Sequence, residues 1–322
     1  MKQLVTGGAG FIGSSYARHV LKNTDDEVVV YDALTYAGNM STMIDLRDDK
    51  RFSFVHGNIC DPSSLWEAMK QCDVVVHFAA ESHVDRSISG SDDFILTNCF
   101  GTNVVMNTAL AVGIEKVIHI GTDEVYGSVD VGSSLESDPL EPRSPYSASK
   151  AGSDLIALSY HHTHGLPVTV TRCTNNFGPF QYPEKAIPLF VTNLLEGKNI
   201  PLYGDGLNER DWLFVDDHCS GILLVLNKGL DGEIYNIGAG NETPNIELVM
   251  KILELTDFGE DKISYVEDRK GHDRRYSVDI QKISDLGWRR SRSLDEALAE
   301  TVGWYINNKW WWEPLKKKEG IK

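Results

Sequence analysis

Two adjacent acids, Asp123 and Glu124, directly follow an apolar stretch in the segment VIHIGTDEVYG, residues 117–127. That stretch predicts a buried strand, and α/β proteins bind their ligands at the carboxyl ends of parallel strands. In a desolvated pocket one carboxylate raises the pKa of its neighbour, so one acid can donate a proton while the other accepts one. The sequence therefore predicts either a general acid and base at a sheet end or a pair of solvated loop acids.

A glycine-rich segment, Gly8-x-Gly10-x-x-Gly13 with Gly7 before it, follows the first predicted strand and opens the first predicted helix. Glycines there permit a tight turn and a close backbone approach to a pyrophosphate, which lies on the positive end of the helix. The second strand ends in Asp32, where an acid accepts hydrogen bonds from an adenosine ribose and repels a 2′-phosphate. The pattern predicts NAD rather than NADP; the alternative is a phosphate loop for another nucleotide.

A tyrosine and a lysine, Tyr146 and Lys150, lie four residues apart in PYSASK, just after Pro145 at a predicted helix start. Residues at this spacing share one helical face. A phenol with an ordinary pKa near ~10 is a poor base at neutral pH, and a neighbouring ammonium and a positive nicotinamide favour its phenolate. The pair predicts a tuned tyrosine base, and the competing interpretation is an amphipathic helix with an exposed lysine.

Short apolar strands alternate with helical segments of ten or more residues up to about residue 175. This alternation predicts βαβ units and a parallel sheet covered on both faces. The predicted fold class is α/β, a Rossmann-type doubly wound parallel sheet with a smaller C-terminal α/β substrate-binding lobe. Later stretches rich in Gly, Pro and Asn, NNFGPFQYPEKAIP and IPLYGDGLNERDW, predict loops and turns. We expect a discontinuous division, with 1–174 plus about 211–237 in the NAD-binding domain and 175–210 plus 238–322 in the lobe.

Composition restricts the partners of the chain. Its 322 residues allow about two domains. A net charge of −16 argues against nucleic acid, because phosphate neutralisation needs a basic face. Nothing at the N-terminus is typical of a signal peptide, and no apolar run reaches the roughly 18–20 residues of a membrane span, so we expect no membrane partner. The five scattered cysteines, without a CxxC pair, are typical of reduced thiols in a cytoplasmic protein.

Several segments carry a resemblance to a known family. TGGAGFIG, the Tyr146–Lys150 pair and NNFGP resemble the extended short-chain dehydrogenase/reductase superfamily, which works on nucleotide sugars. Within it, the chain closely resembles the dTDP-glucose 4,6-dehydratases, and this resemblance rests on DALTYAGN, FAAESHVDRS, TDEVYGS, PYSASKAGSD, YPEKAIPLFVTN, LYGDG and DRKGHDRRY. The match extends from Met1 to about Leu315. TDEVYG is its most specific element, because epimerases of the same superfamily lack the Asp-Glu pair.

The resemblance implies an NAD-dependent conversion of dTDP-glucose to dTDP-4-keto-6-deoxyglucose. Tyr146, supported by Lys150, is expected to take the 4-hydroxyl proton as a hydride leaves C4. The new carbonyl acidifies the C5–H, so Glu124 is expected to remove the C5 proton and Asp123 to protonate the departing 6-hydroxyl. Thr122 is expected to hydrogen-bond near the 4-oxygen. The hydride then returns to C6 and a proton to C5, which makes the expected enzyme a hydro-lyase with tightly bound, recycled NAD.

The resemblance also implies two sets of ligand contacts and a homodimer. The cofactor set is Gly7, Gly10, Phe11, Ile12, Gly13, Asp32, Leu34, Thr35, Gly38, Asn58, Ile59, Ala79, Ala80, Ser82, Thr97, Tyr146, Lys150 and Asn176. The substrate set is Ser82, Thr122, Asn175, Lys185, Pro201, Tyr203, Arg210, Asn245, Arg269, His272 and Tyr276. The homodimer is expected through the helices that start near Asn98 and Tyr146. No metal is expected.

Other functions remain open. A UDP-glucose 4,6-dehydratase would share the whole mechanism, because base choice rests on a few loop contacts. A nucleotide-sugar 4-epimerase would share the Tyr–Lys pair and the first oxidation, but has no elimination for Asp123 and Glu124 to catalyse. A dinucleotide-sensing binding protein would have no use for a tuned tyrosine.

Four positions depart from the family pattern. Asn58 stands where relatives usually have an acid near the adenine amine; its side-chain carbonyl can accept the same hydrogen bond, so we expect weaker NAD retention. Gly121 replaces a usual serine, which predicts a looser strand end. Phe177 and Phe180 stand where tyrosines are frequent.

A histidine cluster, a tryptophan cluster and the C-terminal tail are interpreted as structural features rather than functional sites. The histidines of HHTH, at 161, 162 and 164, end a helix without a companion acid, so we expect no metal there. The tryptophans at 310–312 lack a basic amphipathic helix and predict a C-terminal segment packed on the body rather than a membrane-interface element. The following LKKKEGIK predicts a solvated tail.

Overall fold

The computed structural model of the chain describes residues 1–268 and 271–319, and its first half alternates strand and helix as expected. The strands are β1 Lys2–Thr6, β2 Glu27–Asp32, β3 Phe52–His56, β4 Val74–His77, β5 Lys116–Thr122, β6 Val168–Cys173, β7 Asn175–Phe177, β8 Ile200–Tyr203, β9 Glu209–Phe214, β10 Ile234–Ile237, β11 Glu242–Pro244 and β12 Ile263–Val266. The helices are α1 Phe11–Asn23, α2 Pro62–Met69, α3 Val84–Ser89, α4 Asp92–Phe94, α5 Thr102–Val112, α6 Pro145–His164, α7 Ala186–Leu195, α8 Val215–Lys228, α9 Asn245–Thr256, α10 Gln281–Asp285, α11 Leu294–Asn307 and α12 Lys309–Glu319.

A seven-stranded sheet in the order β3-β2-β1-β4-β5-β6-β10 forms the body of the protein. All of its neighbouring strands pair in parallel. The residues of β4 and β6 and nearly all of those of β1, β2 and β5 are buried, as expected when helices cover both faces of a parallel sheet. The chain order reverses between β1 and β4, which opens a crevice at the carboxyl ends of these two strands. The predicted doubly wound Rossmann-type fold is confirmed.

The smaller lobe combines two short sheets with helices α7, α9, α11 and α12. One sheet has the order β11-β9-β7 and the other pairs β12 with β8. The prediction that NNFGPFQYPEKAIP and IPLYGDGLNERDW form only loops is wrong. The first segment contains β7 and the start of α7, and the second contains β8 and the start of β9. In β8, Ile200 and Leu202 point into the lobe core. The partner strand β12 lies about sixty residues further along the chain, so local composition gave no sign of the pairing.

The C-terminal segment packs on the lobe, as predicted. Trp311 and Trp312 are buried among the lobe's apolar side chains, whereas Trp310 is exposed. The prediction of a solvated tail is wrong for Lys316, which is only 3% exposed. Its Nζ donates to Asn193 Oδ1 at 2.7 Å and to Thr192 Oγ1 at 3.1 Å, near the carboxyl end of α7. The ammonium is stabilised by the Glu196 carboxylate, 2.9 Å from the same Nζ, and by the negative end of the helix dipole.

A continuous helical stretch, Asp92–Val112, joins α4 to α5 through the π-helical segment Ile95–Gly101. Among the described residues it is the stretch with the length and composition of a membrane span, although 44% of its most apolar window is buried inside the protein. Core helices of folded domains meet the same test. Ile95, Leu96 and Phe100 on this stretch are about half exposed.

Candidate active site

The glycine loop brings the backbone close to the crevice. Gly7 has a φ of +69°, and a Cβ there would lie 2.6 Å from Ala79 N on the neighbouring chain segment. A Cβ on Gly13 would lie 2.5 Å from Gly7 O. Gly10 caps the N-terminus of α1, whose first turn contains no acid. The loop therefore leaves room and unopposed positive helix potential for a pyrophosphate.

Asp32 at the end of β2 is held in place by the backbone. Its Oδ2 accepts from Ala9 N at 2.9 Å and its Oδ1 from Leu34 N at 2.7 Å. Burial raises the pKa of this carboxyl, and the two N–H donors oppose that shift. A carboxylate so placed accepts from ribose hydroxyls and repels a 2′-phosphate. The loop and Asp32 together fit an NAD-type dinucleotide.

Tyr146 and Lys150 lie in the first turns of α6. Ser144 caps this helix in a capping box with Ser147, and Pro145 occupies its first position. Lys150 is 5% exposed and its Nζ donates to Ile120 O at 2.6 Å. The alternative of an exposed lysine on an amphipathic helix does not fit this burial.

The pKa of Tyr146 differs from the sequence-based expectation. Burial raises the pKa of its phenol well above the ordinary value, and the carboxylate of Glu124 raises it further, while a hydrogen bond with Thr122 lowers it. The predicted lowering of the Tyr146 pKa is therefore not supplied by the surrounding protein groups, because loss of solvation and the carboxylates of Glu124 and Asp123 all raise it. Of the two influences that the sequence suggested, the positive nicotinamide ring of a bound cofactor remains as the one that can lower the pKa of Tyr146.

The acids Asp123 and Glu124 open a short 3₁₀ helix, Asp123–Tyr126, directly after β5. Thr122 caps it, accepting from Glu124 N at 3.3 Å. Asp123 is 3% exposed, and its Oδ1 accepts from Thr122 Oγ1 at 3.2 Å. Burial and the Glu124 carboxylate raise the pKa of Asp123 to about 8. The interpretation as solvated loop acids does not fit this carboxyl, which carries a proton at neutral pH.

One cleft brings most of the predicted site residues together. Those that line it are Gly7, Gly10, Phe11, Ile12, Gly13, Asp32, Thr35, Gly38, Asn58, Ile59, Ala79, Ala80, Ser82, Thr97, Thr122, Asp123, Glu124, Tyr146, Lys150, Asn175, Asn176 and Lys185. Leu34 contacts Asp32 through its backbone. The other predicted substrate contacts, outside that lining, are Pro201, Tyr203, Arg210, Asn245, His272 and Tyr276, all on the lobe. Arg269 lies outside the residues that the structure describes.

Arg210 connects the lobe to the two acids. It is 4% exposed, its Nη2 donates to Asp273 O at 2.8 Å, and its guanidinium lies 4.4 Å from the ring centre of Tyr276. Its charge lowers the pKa of Asp123, and the Glu124 carboxylate raises that of Tyr276. Arg210 and Tyr276 therefore face the acids from the lobe side. Further out, the Tyr203 ring meets the His272 ring edge-on at 6.1 Å.

Sequence reasoning missed an aromatic and charged cluster over the cleft. The Arg86 guanidinium lies 4.0 Å from the Tyr36 ring centre, and its Nη2 donates to Glu184 Oε2 at 3.0 Å. Tyr36 in turn meets Tyr182 edge-on at 5.8 Å. Three of these side chains, Tyr36, Tyr182 and Glu184, line the cleft. In the sequence, only the positions of two of these residues could have indicated the cluster. Tyr36 lies in the loop after Asp32, and Glu184 directly precedes Lys185.

The departures from the family pattern have structural explanations. Asn58 Oδ1 accepts from Cys60 N at 2.9 Å, so it already stabilises its own turn. The expected loosening at Gly121 is wrong, because β5 stays paired with β6 through Thr122. Phe177 lies in the lobe core. Phe180 packs 4.5 Å from Trp304, with the Arg18 guanidinium 4.2 Å from its ring centre.

The histidines at the end of α6 have local contacts. His161 Nδ1 lies 3.0 Å from Leu166 O, and Tyr160 packs on His164. In 1–268 and 271–319 there is no group of three or more His, Cys, Asp or Glu side chains suited to a metal ion.

Comparison with known proteins shows which families and structures this chain resembles. The sequence model of the GDP-mannose 4,6 dehydratase family matches residues 4–301. The dTDP-glucose 4,6-dehydratase of Streptomyces antibioticus is 53% identical over 325 residues, covering 99% of this chain and 96% of that protein. The crystal structure of DesIV, the dTDP-glucose 4,6-dehydratase of Streptomyces venezuelae with NAD bound, matches with a TM-score of 0.96 and 54% identity, covering 98% of this chain and all of that one.

A related structure with another activity tests the specificity of this match. The UDP-glucose 4-epimerase of Thermotoga maritima matches with a TM-score of 0.89 but only 30% identity, over 95% of this chain and 99% of that one. The backbone is thus shared by dehydratases and epimerases, whereas sequence identity separates them. The resemblance identified from the sequence is confirmed.

Proposed function

The chain belongs to the GDP-mannose 4,6 dehydratase family, and from this premise we propose that it converts dTDP-glucose to dTDP-4-keto-6-deoxyglucose, using NAD that is regenerated in each cycle. The observation that carries the proposal is the acid pair in the cleft that contains Tyr146 and Lys150, with Asp123 buried and Glu124 partly exposed. Asp123 is protonated at neutral pH, next to a carboxylate at Glu124. Elimination of water needs one group of each kind.

The cofactor is held by the residues described above. The glycine loop and the start of α1 face the pyrophosphate, and Asp32 faces the adenosine ribose. Bound NAD supplies reversible hydride storage between the oxidation of C4 and the reduction of C6. The chain's own contribution is to orient the sugar, exclude water and move protons.

Each proton transfer is assigned to one side chain. Tyr146 takes the proton of the 4-hydroxyl, and the Lys150 ammonium beside it stabilises the phenolate. Glu124 removes the C5 proton once C4 is a ketone. Asp123 then protonates the departing 6-hydroxyl, which leaves as water. Thr122, hydrogen-bonded to Asp123, lies where it can hold the 4-oxygen.

The nucleotide half of the substrate is assigned to the lobe. Positive charge must be gathered there, because the overall charge of −16 repels a diphosphate. Arg210 suits phosphate oxygens by its forked geometry. The remaining proposed contacts are Ser82, Asn175, Lys185, Pro201, Tyr203, Asn245, Arg269, His272 and Tyr276.

Proton NMR in D₂O with purified protein tests this function. With dTDP-glucose, we expect a new C6 methyl signal with deuterium at C5, which reports elimination and reprotonation. UDP-glucose is run in parallel, and the faster substrate identifies the preferred base. A galactose-configured product without a methyl signal would replace this proposal by the 4-epimerase.

The elimination step is expected to lose rate as the pH rises through about 8. A raised pKa means that Asp123 is protonated below this value and loses its proton above it, so the acid for the 6-hydroxyl disappears. Rapid-quench measurement of product formation from about pH 6 to about pH 10 tests this pH dependence. Retention of full elimination rate at the alkaline end would remove Asp123 from the role of acid.

A homodimer is part of the same proposal. Its support is the presence of exposed apolar side chains on two elements that pack together, Ile95, Leu96 and Phe100 on the π-helical segment and Leu155 on α6, and we infer that they form one apolar face. Contiguous apolar patches of this kind mark interaction sites, and a second copy of the chain offers the same face. We expect wild-type protein to sediment at twice 35.9 kDa and Leu155→Glu to sediment as a monomer. Leu230→Glu, at an exposed position outside this face, is the control; a monomeric wild type would contradict the proposal.

The division of the chain and its location complete the proposal. We propose 1–174 with about 211–237 as the NAD-binding domain and 175–210 with 238–322 as the lobe. The position of β10 in the main sheet supports it, although residues 211–214 pair with lobe strands. Limited proteolysis measures the boundaries.

A cytoplasmic location is supported by the five free thiols and is measured by cell fractionation.

A further inference from the structure

A buried acid lies one helical turn after the proposed catalytic lysine. Tyr146, Lys150 and Asp154 follow one another at four-residue intervals on α6, so their side chains share one face. Asp154 is fully buried, at 0% exposure. A buried carboxylate is expensive unless it is paired, and the steps proposed above do not use it.

The carboxylate of Asp154 is held by two neighbouring strands. Arg172 Nε on β6 donates to its Oδ2 at 2.9 Å, and His119 Nε2 on β5 lies 3.2 Å from its Oδ1. The Arg172 guanidinium also lies 4.8 Å from the Tyr126 ring centre. Three elements thus fix the position of one carboxylate beneath the site.

Gly121 provides the space for this arrangement. A Cβ at this position would lie 2.9 Å from Asp154 Oδ1 and 2.9 Å from Thr171 O. The carboxylate therefore occupies the volume that a side chain at 121 would need. This glycine directly precedes Thr122, so the charged cluster lies against the strand end that presents the acids.

The charges in this cluster act on Lys150. Burial lowers the pKa of the Lys150 ammonium, and the Asp154 carboxylate is the strongest influence that raises it. Burial also opposes ionisation of Asp154, but His119, Arg172 and Lys150 together hold the pKa of its carboxyl below the ordinary value. Asp154 is therefore ionised wherever Lys150 titrates.

The other groups around Lys150 do not replace this charge. Burial lowers the pKa of both nearby imidazoles, so these are neutral, and it raises the pKa of both nearby thiols, so these ionise less readily than ordinary cysteines. Negative charge on Cys173 or Cys99 raises the pKa of Lys150 as well, but less than the Asp154 carboxylate does. Arg172 is a cation and opposes protonation of the lysine. The titratable groups that interact electrostatically with Lys150 are His77, Cys99, His119, Asp154 and Cys173. Asp123, Glu124 and Tyr146 line the same cleft, and Arg172 is the ion-pair partner of Asp154.

We propose, on the premise of the dehydratase function above, that Asp154 is a positioning residue whose buried carboxylate keeps Lys150 protonated beside Tyr146. Lys150 and Arg172 together carry two positive charges against one from Asp154. The cluster therefore carries one net positive charge. The phenolate of Tyr146 neutralises this charge when it forms to deprotonate the 4-hydroxyl. Asp154 acts through Lys150 and touches no reacting atom.

The direct test is NMR titration of the full-length protein with ¹³Cε-labelled lysine, with the Lys150 signal assigned from its loss in Lys150→Met. In Asp154→Asn we expect the midpoint of the Lys150 titration to fall by about one pH unit or more, because a nearby opposite charge is lost. In Arg172→Gln, which removes a like charge, we expect it to rise. His119→Gln exchanges one neutral group for another and is the control, with an unchanged midpoint.

A kinetic readout accompanies the titration. In single turnover with dTDP-glucose, the alkaline limb of the NADH-absorbance rate is expected to move to lower pH in Asp154→Asn by the same amount. A uniform loss of rate with the limb in place would overturn the proposal, as would an unchanged Lys150 midpoint in folded Asp154→Asn protein. If that variant does not fold, Arg172→Gln is compared with the double variant Arg172→Gln/Asp154→Asn, which removes both members of the buried ion pair. A lower Lys150 midpoint in the double variant supports the proposal, and an equal or higher midpoint overturns it.

Failure of this inference and failure of the proposed function are distinguishable. The lysine titration needs no substrate, so it reads the Asp154–Lys150 coupling whatever the protein catalyses. A wild-type protein that forms no keto-deoxy sugar, yet shows the predicted shift, would refute the function alone.

Discussion

Glu124→Gln protein should oxidise its substrate at C4 and then stop, with reduced cofactor accumulating in the enzyme. Glutamine has the shape of the native side chain but cannot accept the C5 proton, so elimination should slow by about 10²–10⁴-fold. The first step is spared, because the Glu124 carboxylate raises the pKa of Tyr146 and its removal does not hinder that base. Single-turnover NADH absorbance, with rapid-quench analysis of the sugar, measures both steps.

The matched control for this variant is Glu141→Gln. Glu141 is an exposed acid whose backbone pairs with Val125 on the same segment. It should turn over as wild type does. Near wild-type formation of keto-deoxy product by Glu124→Gln would end the assignment of Glu124 as the base.

Tyr146→Phe should fail earlier, before any hydride leaves C4. Phenylalanine retains the ring that packs on Phe94 but removes the phenolic oxygen proposed to take the 4-hydroxyl proton. Loss of a positioned base is expected to cost about 10²–10⁴-fold in the oxidation step. Because the ring stays, substrate affinity should change little, and the loss should appear in the single-turnover rate of NADH formation.

Tyr160→Phe is the control for the tyrosine. Tyr160 lies near the end of the same helix, where its hydroxyl donates to Asn103 Oδ1 at 3.0 Å, away from the cleft. Its removal should leave the oxidation rate intact. Wild-type-like appearance of NADH in Tyr146→Phe would count against the proposed base.

Local motifs predicted the parts of the site that depend on neighbours in sequence. The glycine loop, Asp32 at a strand end, the acids after β5 and the four-residue spacing on α6 all follow from elements formed within a few residues. Their convergence follows from the parallel sheet, whose carboxyl ends meet at one edge. The sequence was therefore sufficient for the fold class and for the cleft.

Contacts between distant segments could not be predicted in this way. The pairing of β8 with β12 and the burial of Lys316 at the end of α7 both join residues far apart in the chain. A run of lysines is typical of solvent-exposed segments, and only the lobe shows which one is enclosed. The pKa of Tyr146 belongs to the same class, since desolvation depends on the whole surrounding shell.

The lobe core has a consequence for synthesis of the protein. It joins Phe177 and α7 to Trp311 and Trp312, which leave the ribosome only after most of the chain has been made. Until then the part of the lobe core that Trp311 and Trp312 cover has no permanent partner, and exposed apolar surface of this kind promotes aggregation. Translation that stalls before α12 therefore yields a chain with an incomplete lobe core, and the uncovered apolar side chains mark it for quality control.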